Sequence, residues 1–231
     1  IVSPKGRYML TLQSIEQAAN GAFDFVFMPD RRFTFRPGQY LEWTLSHHYP
    51  DDRGNRRYFT IASSPTQPTV RLGVKFYEPS STFKRALGAM KIGSTISVSH
   101  LAGGFVLPRK KEIKLVFIAG GIGITPFRSM IEYLLDTGEK RDIVLLYSNK
   151  SETDIAYKPL LDRAASAGVK VVYATGTRID GAYIAQQVPD FKNRMFYISG
   201  PHAMVDTFKH ALHSMGVSWF KIKSDFFPGF A

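Results

Sequence analysis

Phe117-Ile118-Ala119-Gly120-Gly121-Ile122-Gly123-Ile124-Thr125-Pro126-Phe127 is the stretch that decides the fold of this chain. An apolar run precedes three glycines, and a helical pattern follows them, so the order predicts a buried strand, a tight turn and a helix start. Glycines leave the backbone of such a turn open to a pyrophosphate, which the free N–H groups and positive dipole end of the helix attract. We expect Thr125 to cap the helix and Pro126 to occupy its first turn.

Length and composition limit the number of domains and the kinds of site that this chain can form. The 231 residues allow one large domain or two small ones, and with 44% hydrophobic residues the chain has enough apolar side chains for a buried core. The absence of cysteine excludes disulfides, thiolate nucleophiles and cysteine-ligated iron–sulfur clusters in this chain. The six histidines show no metal-binding spacing, and His210 and His213 are interpreted as part of a solvated helix face.

The sequence shows neither a membrane span nor a signal peptide. No apolar run reaches the roughly 18 residues that a spanning helix needs, and no basic segment precedes an apolar core. These patterns predict a cytoplasmic protein. Because the chain starts with Ile1 rather than Met, we also expect that it is a piece of a longer protein.

The formal net charge of +11 raises the question of nucleic-acid binding. The basic residues are scattered, with clusters only at 53–57 and 109–111, and no nucleic-acid reader motif is present. A solvated basic surface that attracts an acidic partner or phosphates explains the charge, so we expect no nucleic-acid partner.

The two halves of the chain have different hydrophobic periods. The first half shows short alternating runs bounded by turn residues, which predicts an antiparallel barrel with one helix at 82–87. The second half alternates strand-like and helical runs, which predicts a doubly wound parallel sheet. The predicted domains are therefore 1–110 and 111–231. The predicted strands are 8–12, 22–27, 40–45, 70–76, 113–119, 142–148, 169–174, 194–198 and 217–222, and the predicted later helices are 125–136, 153–167, 180–188 and 201–215.

Six landmarks in order give the chain a resemblance to the ferredoxin–NADP reductase superfamily over nearly its whole length. The resemblance implies an N-terminal antiparallel six-stranded flavin-binding barrel and a C-terminal doubly wound sheet that binds NAD(P). It implies a flavoprotein reductase that transfers a hydride between NAD(P)H and bound FAD. The landmarks are Phe35-Arg36-Pro37-Gly38-Gln39-Tyr40, Arg57-Tyr58-Phe59-Thr60, Ser80-Ser81-Thr82, Gly103-Gly104-Phe105, Gly120 to Pro126, and Ser199-Gly200-Pro201.

The resemblance also assigns roles at the flavin. Arg57 would bind the flavin pyrophosphate, Phe59 would pack on the isoalloxazine, and the Thr60 hydroxyl would lie near N5. Phe59 stands where the family has tyrosine, so the phenol hydrogen bond is lost. In an alternative register Tyr58 takes the stacking role, but the continuation Thr60 to Ser63 favours the first. Hydride transfer itself needs no general base, only stacked rings and excluded water.

A second group of residues is implied for the flavin phosphates. Ser80, Ser81 and Thr82 would offer hydroxyls and helix N–H groups, although a plain helix cap uses the same residues. Lys75 on the preceding strand would reach the flavin backbone, and a solvated lysine explains it equally well.

For the nicotinamide nucleotide, the resemblance implies a pyrophosphate site made by Gly120, Gly121, Gly123 and Thr125. Ser199, where many relatives have cysteine, would lie close to nicotinamide C4, followed by Gly200 and Pro201. Near the C-terminus, Asp225, Phe226 and Phe227 resemble an acidic-aromatic segment that lies against the flavin. Apolar residues that only seal a domain interface are the alternative for this segment.

The residues expected at the adenosine end of the nucleotide bear on the choice between NADPH and NADH. Ser148, Lys150 and Arg178, with Lys158, favour the 2′-phosphate of NADPH modestly, while nearby Glu152 and Asp154 leave NADH open. The family majority favours FAD over FMN.

The acceptor would be a one-electron carrier such as a ferredoxin-like protein, or a fused or associated membrane module that tethers the chain. The alternative function is a non-catalytic, flavin-free regulatory module on the same fold.

Overall fold

A computed structural model describes residues 6–227 of the chain, except for the side chains of Phe226 and Phe227. It contains a six-stranded antiparallel sheet followed by a five-stranded parallel sheet with helices. The predicted β + α/β architecture is therefore confirmed. No helix in the described ranges is long and apolar enough to cross a bilayer.

The N-terminal sheet curls into a barrel with strand order β4-β3-β6-β1-β2-β5. Burial alternates along β5, where Val70, Leu72 and Val74 face the core, as expected for strands with one buried face. The two edges of the sheet approach each other just after β4, where the Ala62 N–H donates to the Arg71 carbonyl of β5 at 2.9 Å. The elements are β1 (Tyr8–Ala19), β2 (Ala22–Pro29), β3 (Tyr40–Thr44), β4 (Arg56–Thr60), β5 (Val70–Lys75), α1 (Thr82–Gly88) and β6 (Thr95–Ala102).

The C-terminal sheet has strand order β11-β10-β7-β8-β9, with all neighbours parallel. Its central strand β7 is buried along its whole length, because helices cover both faces. The order reverses between β7 and β10, and in such sheets ligands bind at the carboxyl ends of the strands at this point. The elements are β7 (Leu115–Gly120), α2 (Thr125–Thr137), β8 (Ile143–Asn149), α3 (Lys158–Leu161), β9 (Val169–Thr175), α4 (Gly181–Gln187), β10 (Met195–Pro201), α5 (His202–Ser214) and β11 (Ile222–Phe227).

Three local predictions were wrong. The long helix expected at 153–167 consists of short pieces, with only α3 in α-helical form. The last strand runs over 222–227 rather than 217–222, because a 3₁₀ turn occupies 219–221. Thr125 does not cap α2: Ile124 occupies the N-cap position, and Thr125 is the first residue of the helix. Pro126 does lie in the first turn.

Helix α2 joins the two domains through buried polar contacts. Arg128 donates to the Ala62 carbonyl at 2.6 Å, and Ser129 donates to the Ser63 carbonyl at 2.6 Å. Glu132 accepts from the Ser64 N–H at 2.9 Å and pairs with Arg128 at 2.8 Å. The barrel segment that follows β4 is thus fixed directly to α2. The boundary at 110/111 lies in the connection between β6 and β7 and stays a prediction.

We predict that Gly38→Ala lowers the free energy of unfolding by about 3 kcal/mol or more. Gly38 has a φ of +93°, and an added Cβ would overlap the Phe105 carbonyl oxygen. Gly93→Ala is the control, because Gly93 has a φ of +87° but open space around its Cβ. The left-handed backbone alone costs about 1–2 kcal/mol in the control. The free energy of unfolding of both variants is measured by urea denaturation. Equal losses of this free energy would contradict the role given to the Phe105 contact.

Candidate functional site

A cleft of about 650 Å³ opens between the barrel and the nucleotide domain. This volume lies within the usual range for a small-molecule site. Both sheets contribute to it: β4 and β5 from the barrel, and the carboxyl ends of β7, β8 and β10 from the parallel sheet. The predicted site residues that line it are Arg57, Tyr58, Phe59, Thr60, Lys75, Ser80, Ser81, Gly120, Gly121, Gly123, Thr125, Ser148, Lys150, Arg178 and Pro201.

Four predicted site residues are placed differently. Thr82, Ser199, Gly200 and Asp225 are not among the lining residues of this cleft. The side chains of Phe226, predicted as catalytic and cofactor-binding, and of Phe227 lie outside the described residues. Gly200 lies against Met204, whose methyl group an added Cβ would meet.

The three glycines of the turn have different reasons to be glycine. An added Cβ on Gly121, whose φ is +52°, would enter open space in the cleft. An added Cβ on Gly120 would meet the Met204 sulfur, and one on Gly123 would meet the Ser199 carbonyl oxygen. Gly121 therefore keeps the cleft open, whereas Gly120 and Gly123 allow close packing. All three glycines line the cleft, and their contact with a pyrophosphate stays a prediction.

Cations and hydroxyls gather at the barrel end of the cleft. Arg57 pairs with Asp51 at 2.6 Å, and its Nε is buried without a hydrogen-bond partner in the described part of the chain. Burial opposes ionisation of Asp51, yet hydrogen bonds, first from Arg57, lower its pKa to about 2. Burial lowers the pKa of Lys84, and the neighbouring Arg53 adds to this effect. A bound anion would offset both of these effects on the pKa of Lys84 and would give the Arg57 Nε an acceptor.

The three hydroxyl residues before and at the start of α1 have separate tasks. Ser81 caps the helix by accepting from the Lys84 N–H at 3.3 Å. Ser80 donates to the Tyr77 carbonyl at 2.6 Å. The Thr82 hydroxyl contacts His47 Nε2 and accepts from the Asp51 N–H. Ser80 and Ser81 still line the cleft, whereas Thr82 holds the loop that precedes β4.

Thr60 and Asp225 connect the two domains beside the cleft. The Thr60 hydroxyl donates to Asp225 Oδ2 at 3.4 Å. Burial raises the pKa of Asp225 to about 6, and the Thr60 hydrogen bond only partly offsets this effect. Ser199 stands beside Asp225 in the β10–β11 register, and its fully buried hydroxyl has no hydrogen-bond partner among the described residues. A carboxyl group with a pKa of about 6 thus lies next to a buried hydroxyl that has no hydrogen-bond partner among the described residues.

The aromatic residues of β4 face opposite sides of the strand. Phe59 packs on Phe83 with ring centroids 5.8 Å apart. Tyr58 is 58% exposed, and its hydroxyl donates to Glu42 Oε2 at 2.8 Å. Both residues line the cleft, so the position of either ring is compatible with stacking on a flat ligand. The choice between the two registers stays a prediction.

Lys75 makes an ion pair across the domain boundary. Its Nζ lies 2.7 Å from Asp154 Oδ1, and the hydrogen bond from Lys75 lowers the pKa of Asp154. Asp154 also accepts from Ser151. Because both Lys75 and Asp154 line the cleft, this ion pair bridges the barrel wall and the nucleotide domain. Lys75 is therefore not a free solvated lysine, and its contact with the flavin backbone stays a prediction.

The end of β8 forms the other extremity of the cleft. Ser148, Lys150 and Arg178 line it, and both cations are exposed. Lys158, which was expected here, instead pairs with Asp162 at 2.8 Å. Asn149 is 8% exposed, and neither its Oδ1 nor its Nδ2 makes a hydrogen bond of normal geometry within the described chain.

Sequence reasoning missed Lys84, Asn149 and Tyr77, which all line the cleft. The Tyr77 ring lies 5.4 Å from the Lys84 ammonium and is 49% exposed. Asn149 sits between two residues that were predicted, and its position at a strand end was a usable signal. Lys84 follows the serine pair by one helical turn, which was a second signal. Within the described ranges no cluster of metal-ligating side chains occurs.

Comparisons with known proteins agree with this geometry. The sequence profile of the oxidoreductase NAD-binding domain matches residues 117–210. The glycine betaine monooxygenase reductase subunit of Pseudomonas aeruginosa is 29% identical over 237 residues, covering 91% of this chain and 62% of that protein. Four such curated relatives are longer proteins, of which this chain spans from 50% to 62%.

Solved structures share the fold of the whole chain. The flavohemoglobin from Malassezia yamatoensis with bound FAD and heme has a TM-score of 0.82 at 21% identity, covering 97% of this chain and 61% of that one. The ferredoxin-NADP+ reductase from Plasmodium falciparum has a TM-score of 0.79 at 17% identity, covering 98% of both chains. At these identities the similarity establishes the two-domain fold.

We predict that ionisation of Asp225 makes folding pH-dependent. Its pKa is raised in the folded state, so the folded protein binds this proton more tightly than the unfolded chain. The contribution is fully present below the unfolded pKa of about 4 and is lost as pH rises through about 6. Asp225→Asn should remove this slope, measured as the difference in unfolding free energy between variant and wild type from pH 4 to 8. Parallel curves would contradict the raised pKa.

Proposed function

We propose that this chain is a reductase of the ferredoxin–NADP reductase superfamily, which transfers a hydride between NAD(P)H and a bound FAD and passes electrons singly to a redox partner. Its general chemistry would then be that of an NAD(P)H-dependent flavin oxidoreductase. The use of FAD rather than FMN, the preferred nucleotide and the acceptor are the proposed details.

One observation carries the proposal: a single cleft is lined by both the Arg57–Thr60 strand and the glycine turn at 120–123. A flavin needs an anion site and a flat apolar wall, and these lie on the barrel side. A dinucleotide needs an open turn at a helix start, and this lies on the opposite side. The Arg57 Nε, which is buried without a hydrogen-bond partner in the described residues, and the open space at Gly121 fit these two groups.

A bound flavin would supply the chemistry, because it accepts two electrons as a hydride and can release them one at a time. The chain's own residues position and shield the reactants. Arg57, Lys84 and Ser81 would hold the flavin pyrophosphate, with the ring against Phe59 or Tyr58. With a pKa of about 6, Asp225 is mostly ionised at pH 7 and accepts from the Thr60 hydroxyl, so this pair presents a hydrogen-bonded carboxylate beside the cleft.

The electron acceptor is proposed from charge and from the chemistry of single-electron release. The chain has no cysteine and so lacks cysteine ligands for an iron–sulfur cluster. The electrons must therefore pass to another protein, to another domain or to a diffusible oxidant, and the net charge of +11 favours a protein with an acidic surface. A ferredoxin-like protein or a fused or associated membrane module meets this requirement.

A flavin-free regulatory module on the same fold is the second candidate. The observation that favours it is the pairing of two cleft cations with carboxylates of the chain itself, Arg57 with Asp51 and Lys75 with Asp154. In such a module these ion pairs would persist and no chromophore would bind. The purified protein would then be colourless and would stay so after incubation with FAD or FMN.

We predict that NADPH or NADH bleaches the flavin absorbance of the purified protein in an anaerobic stopped-flow experiment. Thr60→Ala should slow this reduction about tenfold while leaving the flavin bound, because the hydroxyl positions the reacting groups and is not needed for binding. Thr66→Ala is the matched control: it also removes a hydroxyl hydrogen-bonded to an aspartate, Asp136, but outside the cleft. A bound flavin that neither nucleotide reduces would contradict the proposed reductase function.

We predict a preference for NADPH that depends on Lys150 and Arg178. Alanine at either position should raise the KM for NADPH about tenfold, because a hydrogen bond to a charged group contributes about 1.5–3 kcal/mol. The KM for NADH should change less than about twofold. Lys170→Ala, an exposed lysine on β9 outside the cleft, is the control. Unchanged NADPH kinetics in both variants would rule out a 2′-phosphate site at this position.

A further inference from the structure

A buried polar cluster joins the domains behind the cleft, and the function proposed above makes no use of it. The cluster consists of Asp24 and Arg71 from the barrel and Arg128 and Tyr157 from the nucleotide domain. Asp24 is 3% exposed on β2, and Tyr157 is buried just before α3. No sequence motif predicted it, because its members are far apart in the chain.

The centre of the cluster is one hydrogen bond across the interface. The Tyr157 hydroxyl donates to Asp24 Oδ1 at 2.6 Å, and Arg71 approaches the other carboxylate oxygen at 3.2 Å. The Arg128 guanidinium lies 5.0 Å from the Tyr157 ring centroid. Burial raises the pKa of Tyr157 well above its usual value, so the hydroxyl keeps its proton and remains the donor.

Tyr157 is held in an unfavourable backbone conformation. Its φ is +62°, in the left-handed region that a bulky residue rarely adopts. Such residues cost roughly 1–3 kcal/mol and persist only where the surrounding structure holds them. Here the Asp24 hydrogen bond and the Arg128 contact hold the ring, so the conformation points to a requirement at the domain interface.

The cluster touches the start of the nucleotide site through Gly73. Gly73 is paired with Asp24 between β2 and β5, and it also lines the cleft. An added Cβ on Gly73 would meet the Tyr157 hydroxyl and the Thr125 methyl group. Thr125 begins α2 directly after the glycine turn. The barrel wall, the Tyr157 hydroxyl and the helix start therefore meet at one point.

We propose that Tyr157 is a positioning residue that sets the glycine turn at the correct distance from the flavin side of the cleft. The proposal rests on the reductase function proposed above. Tyr157 is not among the residues lining the cleft, so it acts through Gly73 and Thr125 rather than by touching a ligand. Because transfer of a hydride depends steeply on the distance and alignment of the reactants, a shift of about 1 Å costs up to a hundredfold in rate.

The test compares Tyr157→Phe with the matched variant Tyr173→Phe in the flavin-loaded protein. Tyr173 also donates to an aspartate, Asp162 at 3.0 Å, and has a cation, Lys158, 5.2 Å from its ring centroid. Both of its partners lie within the nucleotide domain. Flavin content, thermal midpoint, nucleotide dissociation constant and the rate of flavin bleaching by NADPH or NADH are measured for each variant.

Tyr157→Phe should slow bleaching about tenfold or more while flavin content stays unchanged and the nucleotide dissociation constant changes less than threefold. Tyr173→Phe should match the wild type. Gly73→Ala disturbs the same contact from the barrel side and should also slow bleaching. The double variant that combines Gly73→Ala with Tyr157→Phe should be bleached no more slowly than the slower of these two single variants, because both changes disturb one contact.

Two results would overturn the inference. One is bleaching of the flavin in Tyr157→Phe at the wild-type rate. The other is a loss of flavin or of folded protein in this variant that accounts fully for its slower bleaching. A wild-type protein that binds flavin but is not bleached would instead remove the reductase function, so the two failures are distinguishable.

Discussion

The structure depends on the ion pair between Arg128 and Glu132 in the middle of α2. Both side chains are buried, and each also bonds the barrel backbone, at Ala62 and Ser64 respectively. A buried ion pair is tolerated when further hydrogen bonds complete it, and removal of one partner leaves a costly unpaired charge. Because the bonded segment follows β4 immediately, the same helix that begins at the glycine turn also fixes the strand carrying Arg57 to Thr60. The two walls of the cleft are thus set relative to each other by one rigid element.

Much of the fold was predictable because its signals are local. The period of two in the barrel strands and the apolar run before Gly120 each reflect burial on known faces, and these elements were confirmed. The errors have the same local origin. Val217 is buried and Trp219 and Phe220 are apolar, which imitates a strand, yet Phe220 is 94% exposed in a turn. The expected helix at 153–167 fails because Tyr157 adopts a left-handed conformation that interrupts it.

In the candidate site, too, residues in short motifs were predictable from the sequence, whereas contacts between residues far apart in the chain were not. Arg57, Ser81 and Gly121 belong to short motifs, so sequence reasoning identified them and the structure brings them to one cleft. The ion pair of Lys75 with Asp154 and the hydrogen bond of Thr60 with Asp225 join residues 79 and 165 positions apart. Such contacts arise only after the domains pack, and no spacing rule reveals them. The different tasks of the three glycines were hidden for the same reason, since each depends on what an added Cβ would meet.

The packing of Met204 has a consequence for chemical durability. Its thioether fills the space beside Gly120 and Gly200, directly next to the turn. Since the chain contains no thiol, alkylating agents and thiol oxidants find no cysteine to attack. Peroxide, however, converts a thioether into a bulkier and polar sulfoxide. Oxidative damage at this turn would therefore begin at Met204, and it belongs to the class that methionine sulfoxide reductases reverse.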